Sequence, residues 1–190
     1  MKQRTLKQII TATGVGLHSG ERVNLRLMPA EINTGIAFRR SDLSGDKNRI
    51  IHLTPDLIND TRLSSTVVTE DGIRIGTIEH LMSAFCALGI DNILVELDAP
   101  EIPIMDGSSL PFLYLLQDGG IIEQHAEKRF IRIKKAIEII EENKQVRFEP
   151  YNGFKISLSI DFDHPVFRRA SQTMTIDFEK MSYQEEIARA

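Results

Sequence analysis

The chain has 190 residues, of which 42% are hydrophobic and 26% are charged. This composition provides enough apolar material for a buried core and excludes the disordered, collagen and coiled-coil classes. The formal net charge is -4 and the pI is near 5.8. Because the chain has no overall excess of positive charge to attract a phosphate backbone, we expect no nucleic-acid partner.

Cysteine content and hydropathy predict the cellular compartment. The single cysteine, Cys86, cannot form an internal disulfide, which favours a reducing compartment. No apolar run approaches the roughly 20 residues that a membrane helix needs, and the N-terminus lacks the apolar stretch of a signal peptide. We therefore expect a cytoplasmic protein without a membrane span, in which Cys86 is a small core residue of a helix and not a nucleophile.

The first forty residues are predicted to form strands. Val23, Leu25 and Leu27 alternate with polar residues, and Ile36 and Phe38 continue the pattern after a turn. A period of two places the apolar side chains on one face of a sheet. The polar stretch 41–48 that follows has the composition of a loop.

A first helix is predicted to begin at Thr77, its N-cap, and to end at Gly89. The side of this helix opposite its apolar face carries His80 and small residues. It lacks the Lys and Glu of a solvated surface, so we expect the helix to be buried on both sides. An adjacent Glu79-His80 pair would then be costly unless both groups have partners. The apolar face consists of residues at helical spacing, Ile78, Leu81, Met82, Phe85 and Leu88.

A second helix and a charged segment complete the first predicted domain. The helix begins near Ser109 or Leu110, has Pro111 in its first turn and ends at Gly119-Gly120. Charged residues then predict a linker. The expected organisation is a first α+β domain over 1–124, a linker over 125–129 and a second domain over 130–190.

Beyond the linker, the order of strands and turns repeats that of the N-terminal region, although sequence identity between the two copies is low. Ser182 and Glu185 form a capping box that predicts a third helix. The second copy has its strands but lacks a helix pair. We therefore predict an α+β protein with one complete domain and the first half of a second.

Glu79-His80 is the strongest candidate for chemistry. Imidazole is a common zinc ligand, and a carboxylate next to the metal can accept a proton from metal-bound water. The structural alternative is a core histidine that hydrogen-bonds to the backbone while Glu79 caps the helix, and the spacing alone favours this alternative. One histidine cannot hold zinc, since a catalytic site needs at least three protein ligands.

Three loops also carry polar residues. The segment 13–20 begins a G-x-G-x-x-G pattern but has Ser19 at the last position and no following helix, so a tight strand connection with His18 at its tip is expected. Segment 60–66 could line a substrate site, although its composition favours an ordinary turn. Segment 99–107 could present Glu101 and Asp106, but a rigid loop is favoured.

Five motifs together resemble the bacterial UDP-3-O-acyl-N-acetylglucosamine deacetylases, the zinc amidohydrolases of the committed step of lipid A synthesis. They occur in the same order and spacing as in that family, and they are TGVGLHSG, DTRLSST, GTIEHLMSA, LGIDN and APEIPIMDGSSLPF. The resemblance implies two β-α-α-β sandwich domains with the active site between them, and the second domain is incomplete in this chain. It also implies a UDP-3-O-acyl-N-acetylglucosamine substrate, hydrolysed with release of acetate.

The resemblance implies specific roles for site residues. Glu79 matches the general base, His80 matches the first ligand of a Zn²⁺ cofactor, and Arg62, Leu63 and Ser64 match substrate-binding positions. Met and Cys often replace Arg62 and Ser64 in the family, so this pocket is expected to be more polar. The family's other zinc ligands, a histidine and an aspartate, and its C-terminal catalytic histidine have no counterpart in these residues. We therefore expect residues 1–190 alone to bind zinc weakly and to be inactive without the remainder of the polypeptide.

Two other functions are compatible with the sequence. One is a non-catalytic docking module of the same fold, in which Glu79-His80 is a structural pair. The other is a hydrolase of a different substrate on the same scaffold. Metal content distinguishes the docking module from either enzyme.

Overall fold

The computed structural model describes residues 1–165, 167 and 172–189. The fold is α+β, as the sequence predicts. It divides into two compact units, one formed by Met1–Lys128 with a short stretch that begins at Ala188, and the other by Arg129–Ile187. The division falls inside the predicted linker 125–129. No helix in the described part of the chain is both long and apolar enough to cross a membrane.

The first unit, Met1–Lys128, contains the strands and helices that position the candidate site. Its strands are β1 (Lys2–Leu6), β2 (Ile10–Val15), β3 (Arg22–Pro29), β4 (Ile36–Arg40), β5 (Ile51–His52), β6 (Ile58–Asp60), β7 (Thr66–Val68), β8 (Arg74–Ile75), β9 (Ile93–Leu97) and β10 (Ile121–Glu127). Its helices are α1 (Glu79–Leu88) and α2 (Leu110–Asp118).

A mixed sheet with the strand order β2-β3-β9-β4-β5 forms the main layer of this unit. Strand β9 runs antiparallel to β3 and parallel to β4. Val23, Leu25 and Leu27 are buried, whereas Asn24 and Arg26 between them are exposed. The predicted alternation is confirmed, and it directs one face of β3 into the core.

Helices α1 and α2 pack against each other and contribute to the core. Both glycine stops are confirmed: α1 ends at Gly89 in the left-handed conformation, and α2 ends at Gly119. The prediction of Thr77 as the N-cap is wrong, because α1 begins at Glu79 after Ile78 and has no side-chain cap. The Thr77 hydroxyl is instead bonded to Glu101.

The expected burial of α1 on both sides is also wrong. Leu81, Ala84 and Phe85 are buried, whereas Cys86 and Ala87 are exposed. Successive helix positions differ by about 100°, so these two residues leave the stripe that faces the core. Cys86 is therefore an exposed thiol and not a core residue.

Two smaller sheets complete the first unit. Strands β6, β7 and β8 form an antiparallel sheet. Its position is fixed in part by the buried Arg40 of β4, whose Nη1 donates to the carbonyl of Arg74 at 2.9 Å. Strand β1 pairs with β10 from Leu6↔Ile121 to Lys2↔Glu127, so β10 overlaps the first residues of the predicted linker.

The described residues of the second unit, Arg129–Ile187, include two antiparallel strand pairs and a short helix. Strands β11 (Ile137–Glu141) and β12 (Lys144–Phe148) pair, as do β13 (Lys155–Ser159) and β14 (Thr173–Asp177). Helix α3 (Tyr183–Glu186) begins after Ser182, where the capping box predicts it, but the cap has no side-chain hydrogen bond.

Candidate functional site

Glu79 is the first residue of α1, and a loop of the small sheet holds its carboxylate. Its Oε2 atom accepts the backbone N–H of Ser65 at 3.0 Å. The carbonyl of Ser65 accepts the N–H of Ile78 at 3.2 Å, so Ser65 bonds to the helix start through both of its backbone groups. The side chain of Glu79 is half-buried. The loop between β6 and β7 thus fixes the orientation of the candidate base.

His80 follows Glu79 and is also half-buried. No protein group in the described part of the chain hydrogen-bonds to its ring, so the backbone-bonded core histidine of the structural alternative is not observed. Asp106 lies close enough for a charge interaction. The N–H and hydroxyl of Ser108 lower the pKa of Asp106, and the His80 ring acts in the same direction. A ligand therefore does not have to displace a protein hydrogen bond to reach the imidazole.

Whether a metal ion could be held depends on which ligating side chains the described residues bring together. Among them, no group of three or more histidine, cysteine, aspartate or glutamate side chains is placed to hold a metal ion. Catalytic zinc needs at least three protein ligands. The His80 imidazole can supply one nitrogen ligand, and the described residues do not bring together the further ligands of a complete site.

Glu101 connects the Gly-containing turn to the start of α1. Its carboxylate is only 4% exposed. It accepts the N–H of His18 at 3.0 Å, the N–H of Ser19 at 2.9 Å and the hydroxyl of Thr77 at 2.9 Å. Burial raises the pKa of Glu101, but these hydrogen bonds outweigh burial, so its pKa lies below the ordinary value. Glu101 therefore has a structural role, because its hydrogen bonds join the turn at His18 and Ser19 to Thr77, just before α1.

The segment 13–20 forms the tight strand connection that the sequence predicts. The N–H of Gly16 donates to the Glu21 carbonyl at 2.9 Å, and the N–H of Gly20 donates to the Gly16 carbonyl at 3.0 Å. His18 is exposed at the tip, between β2 and β3. The element that follows this connection is strand β3, whereas a dinucleotide-binding loop opens a helix.

A cavity of about 700 Å³ lies next to this connection in the first unit. The three predicted substrate-binding residues, Arg62, Leu63 and Ser64, all line it. Glu79 and His80 do not line the cavity, but Thr77, two residues before Glu79, does. The structure thus brings the predicted loop residues together at one cavity, and the candidate base is hydrogen-bonded to the same loop through Ser65.

Charged side chains dominate one wall of the cavity. Asp60 lies between two guanidinium groups, 3.3 Å from Arg62 Nε and 2.5 Å from Arg74 Nη2. Hydrogen bonds from both arginines lower the pKa of Asp60. Sequence reasoning missed Arg74, which lies two strands away from the motif, although its position between Ile73 and Ile75 marks it as the polar side of a strand. This wall therefore presents two guanidinium groups and one carboxylate that already pair with one another.

Comparison with known proteins agrees with these features. The family model for UDP-3-O-acyl N-acetylglycosamine deacetylase matches residues 3–190. The chain is 65% identical over 190 residues to a UDP-3-O-acyl-N-acetylglucosamine deacetylase of Neisseria meningitidis serogroup C, covering 100% of this chain and 62% of the relative. It is 59% identical over 188 residues to the enzyme of the same name from Chromobacterium violaceum, covering 99% of this chain and 61% of that relative.

The chain therefore spans about three fifths of the length of the curated relatives that it matches. The resemblance inferred from the five motifs is confirmed by a match that covers nearly every residue. On this evidence the chain belongs to the UDP-3-O-acyl-N-acetylglucosamine deacetylase family.

Proposed function

We propose that the complete polypeptide hydrolyses the N-acetyl group of UDP-3-O-acyl-N-acetylglucosamine and releases acetate, in the synthesis of lipid A. The observation that carries this proposal is the pairing of an oriented carboxylate with an imidazole ring to which no described residue hydrogen-bonds. Glu79 is held by the Ser65 N–H, and the adjacent His80 ring is free of hydrogen bonds from the described residues. The names of the relatives supply the substrate.

Glu79 is the general base of the proposed reaction. Because Oε2 is held by the Ser65 N–H at 3.0 Å, the carboxylate has a fixed direction at the start of α1. It would accept a proton from the water molecule that attacks the acetamide carbonyl. A positioned base of this kind contributes about 10²–10⁴-fold to the rate.

His80 would be one ligand of a Zn²⁺ cofactor. Bound zinc lowers the pKa of water and polarises a carbonyl group. The remaining ligands would come from the part of the polypeptide outside these 190 residues. We therefore infer that residues 1–190 alone bind zinc weakly and do not turn over substrate.

Arg62, Leu63 and Ser64 would bind the substrate. They line the cavity next to the Glu79 loop, and the side chains of Arg62 and Leu63 are largely exposed there. The guanidinium of Arg62 can donate to anionic or hydroxylated groups, and Leu63 offers an apolar contact. The exposed single cysteine and the UDP-linked substrate both fit a cytoplasmic enzyme.

Substitutions in the complete polypeptide test these roles separately. Glu79→Gln should retain zinc and lose about 10²–10⁴-fold in kcat, because proton transfer to the carboxylate is lost. Glu70→Gln is the matched control, since Glu70 is exposed and lies outside the site. Unchanged turnover of Glu79→Gln would exclude Glu79 as the base.

Metal analysis tests His80 and distinguishes the enzyme from a docking module. His80→Ala should lower the zinc content of the purified complete polypeptide, and full occupancy would remove His80 from the ligand set. Complete polypeptide that contains no zinc and is indifferent to chelators would support the docking module. For residues 1–190 alone, deacetylation comparable to that of the complete polypeptide would contradict the proposed division of the site.

A further inference from the structure

We propose that Glu101 is a positioning residue for the Glu79-His80 pair. It holds Thr77 in a left-handed backbone conformation and thereby sets the start of α1. This inference rests on the function proposed above for that pair. It assigns a role to a carboxylate that has no part in the proton transfer itself.

The backbone of Thr77 is in a conformation that threonine rarely adopts. Its φ angle is +56°, in the left-handed region. A β-branched side chain is unfavourable there, so the surrounding structure has to maintain this geometry. Thr77 is only 3% exposed, and its Oγ1 atom donates to Glu101 Oε1 at 2.9 Å. This hydrogen bond is therefore the side-chain contact that offsets the strain.

The strained residue lies where the chain changes from strand to helix. Strand β8 ends at Ile75 and α1 begins at Glu79, so three residues make the turn. The first of them, Gly76, is held on both sides by the Glu101 loop. Its N–H donates to the Pro100 carbonyl at 2.8 Å, and its carbonyl accepts the N–H of Ile102 at 3.0 Å. With Gly76 fixed, the conformation of Thr77 determines the direction in which α1 leaves.

Position 101 requires a carboxylate and not merely a polar side chain. Donors approach both oxygens: Oε1 accepts from Thr77 and from the His18 N–H, and Oε2 accepts from the Ser19 N–H. Glutamine has one oxygen and one NH₂ group, so its NH₂ would face at least one of these donors. Because both oxygens are occupied by protein donors, Glu101 acts through Thr77 and not on a substrate.

The decisive experiment compares two substitutions of Thr77 in the complete polypeptide. Thr77→Ala and Thr77→Gly both remove the hydroxyl, but only glycine adopts a positive φ without strain. If the bond to Glu101 serves to hold the left-handed conformation, Thr77→Gly should keep at least tenfold more kcat than Thr77→Ala. Equal kcat values for the two variants would overturn the inference.

Glu101→Gln and its combination with Thr77→Gly provide the second arm. Glu101→Gln should lower kcat by about 10- to 100-fold with a smaller change in KM, since a misplacement of about 1 Å can cost 100-fold. It should also weaken Zn²⁺ binding in competition with a chelator, because His80 lies on the same turn. The double variant should recover most of the kcat of Thr77→Gly. A merely structural Glu101 would show no such rescue, and that result would overturn the inference.

Amide hydrogen exchange gives a readout that does not depend on catalysis. Exchange at the backbone N–H of Met82, the first intrahelical donor of α1, should be faster in Thr77→Ala than in Thr77→Gly. If Glu79 is not the base, Glu79→Gln keeps its turnover while this difference in exchange persists. If the positioning inference fails, the two Thr77 variants exchange alike while Glu79→Gln is still inactive.

Discussion

Replacing Gly16 by alanine should loosen the connection between β2 and β3, because a Cβ atom at this position has no room. It would lie 2.2 Å from Ser19 Oγ and 2.5 Å from Glu101 Oε2. The serine hydroxyl can rotate away, since it ends a short side chain. The carboxylate cannot move freely, because it accepts hydrogen bonds from His18, Ser19 and Thr77.

The expected loss of stability in Gly16→Ala follows from the hydrogen bonds that the Glu101 carboxylate would lose. A hydrogen bond to a charged group contributes about 1.5–3 kcal/mol, and overpacking costs about 1–3 kcal/mol. If one such bond is lost and the loop relaxes partly, the free energy of unfolding should fall by about 2–4 kcal/mol. Gly76→Ala is the matched control, because its Cβ would meet its nearest neighbours at 3.6–3.7 Å, an ordinary contact.

Native-state hydrogen exchange is the appropriate assay, because it reports the opening of one unit separately in a chain with two compact units, to which a two-state analysis need not apply. The core amides of β3 and β9 report the opening of the first unit. In Gly16→Ala their exchange should accelerate by roughly 30- to 1,000-fold, since about 1.4 kcal/mol corresponds to a factor of ten. Exchange no faster than in Gly76→Ala would refute the argument that the carboxylate is fixed in place.

Three further predictions concern the stability of the first unit. Phe85→Ala should lower its free energy of unfolding by about 3–5 kcal/mol, because Phe85 is only 1% exposed. Cys86→Ala should change this free energy by less than about 0.5 kcal/mol, because Cys86 is exposed. Equal losses of stability for the two variants, measured by hydrogen exchange, would contradict the burial pattern of α1. Asp42→Ala should cost about 3 kcal/mol, since it leaves the buried Arg40 guanidinium without its carboxylate; a loss below about 1 kcal/mol in the same assay would contradict this. The pKa of Glu101 is lower in the folded state, so its contribution to stability is present above its ordinary pKa of 4.5 and is lost as the pH falls through the folded-state pKa. The difference in stability between the protein and Glu101→Gln should therefore narrow as the pH falls below 4.5, and a difference independent of pH would contradict the assignment.

Local patterns predicted the secondary structure well. The alternation of Val23, Leu25 and Leu27 identified β3, and the apolar spacing up to Gly89 identified α1. These signals are carried by neighbouring residues, so they can be read without knowledge of the tertiary structure. The same spacing could not show that Cys86 is exposed, because that depends on what packs against the second side of the helix.

The site was only partly predictable, because its decisive contacts join distant parts of the chain. Arg62, Leu63 and Ser64, the substrate-binding positions implied by the resemblance, do line a cavity, although composition alone favoured an ordinary turn. By contrast, Glu101 binds the His18 amide 83 positions away and the Thr77 hydroxyl 24 positions away. Thr77 looked like an ordinary helix cap, since Ser and Thr are common at that position. Its left-handed backbone becomes evident only when the Glu101 loop is in place.

The parallel pairing of β4 with β9 has a consequence for the order of folding. These strands are neighbours in the sheet, yet the whole segment that carries Arg62, Glu79 and His80 lies between them in the chain. Bringing β4 and β9 together closes a long loop, which costs chain entropy before the strand contacts form. Topologies with such long-range pairing fold slowly. During synthesis, we expect the loop and the beginning of α1 to become ordered only after β9 has been made and has inserted between β3 and β4. We therefore expect the candidate site to become ordered late in the folding of the first unit.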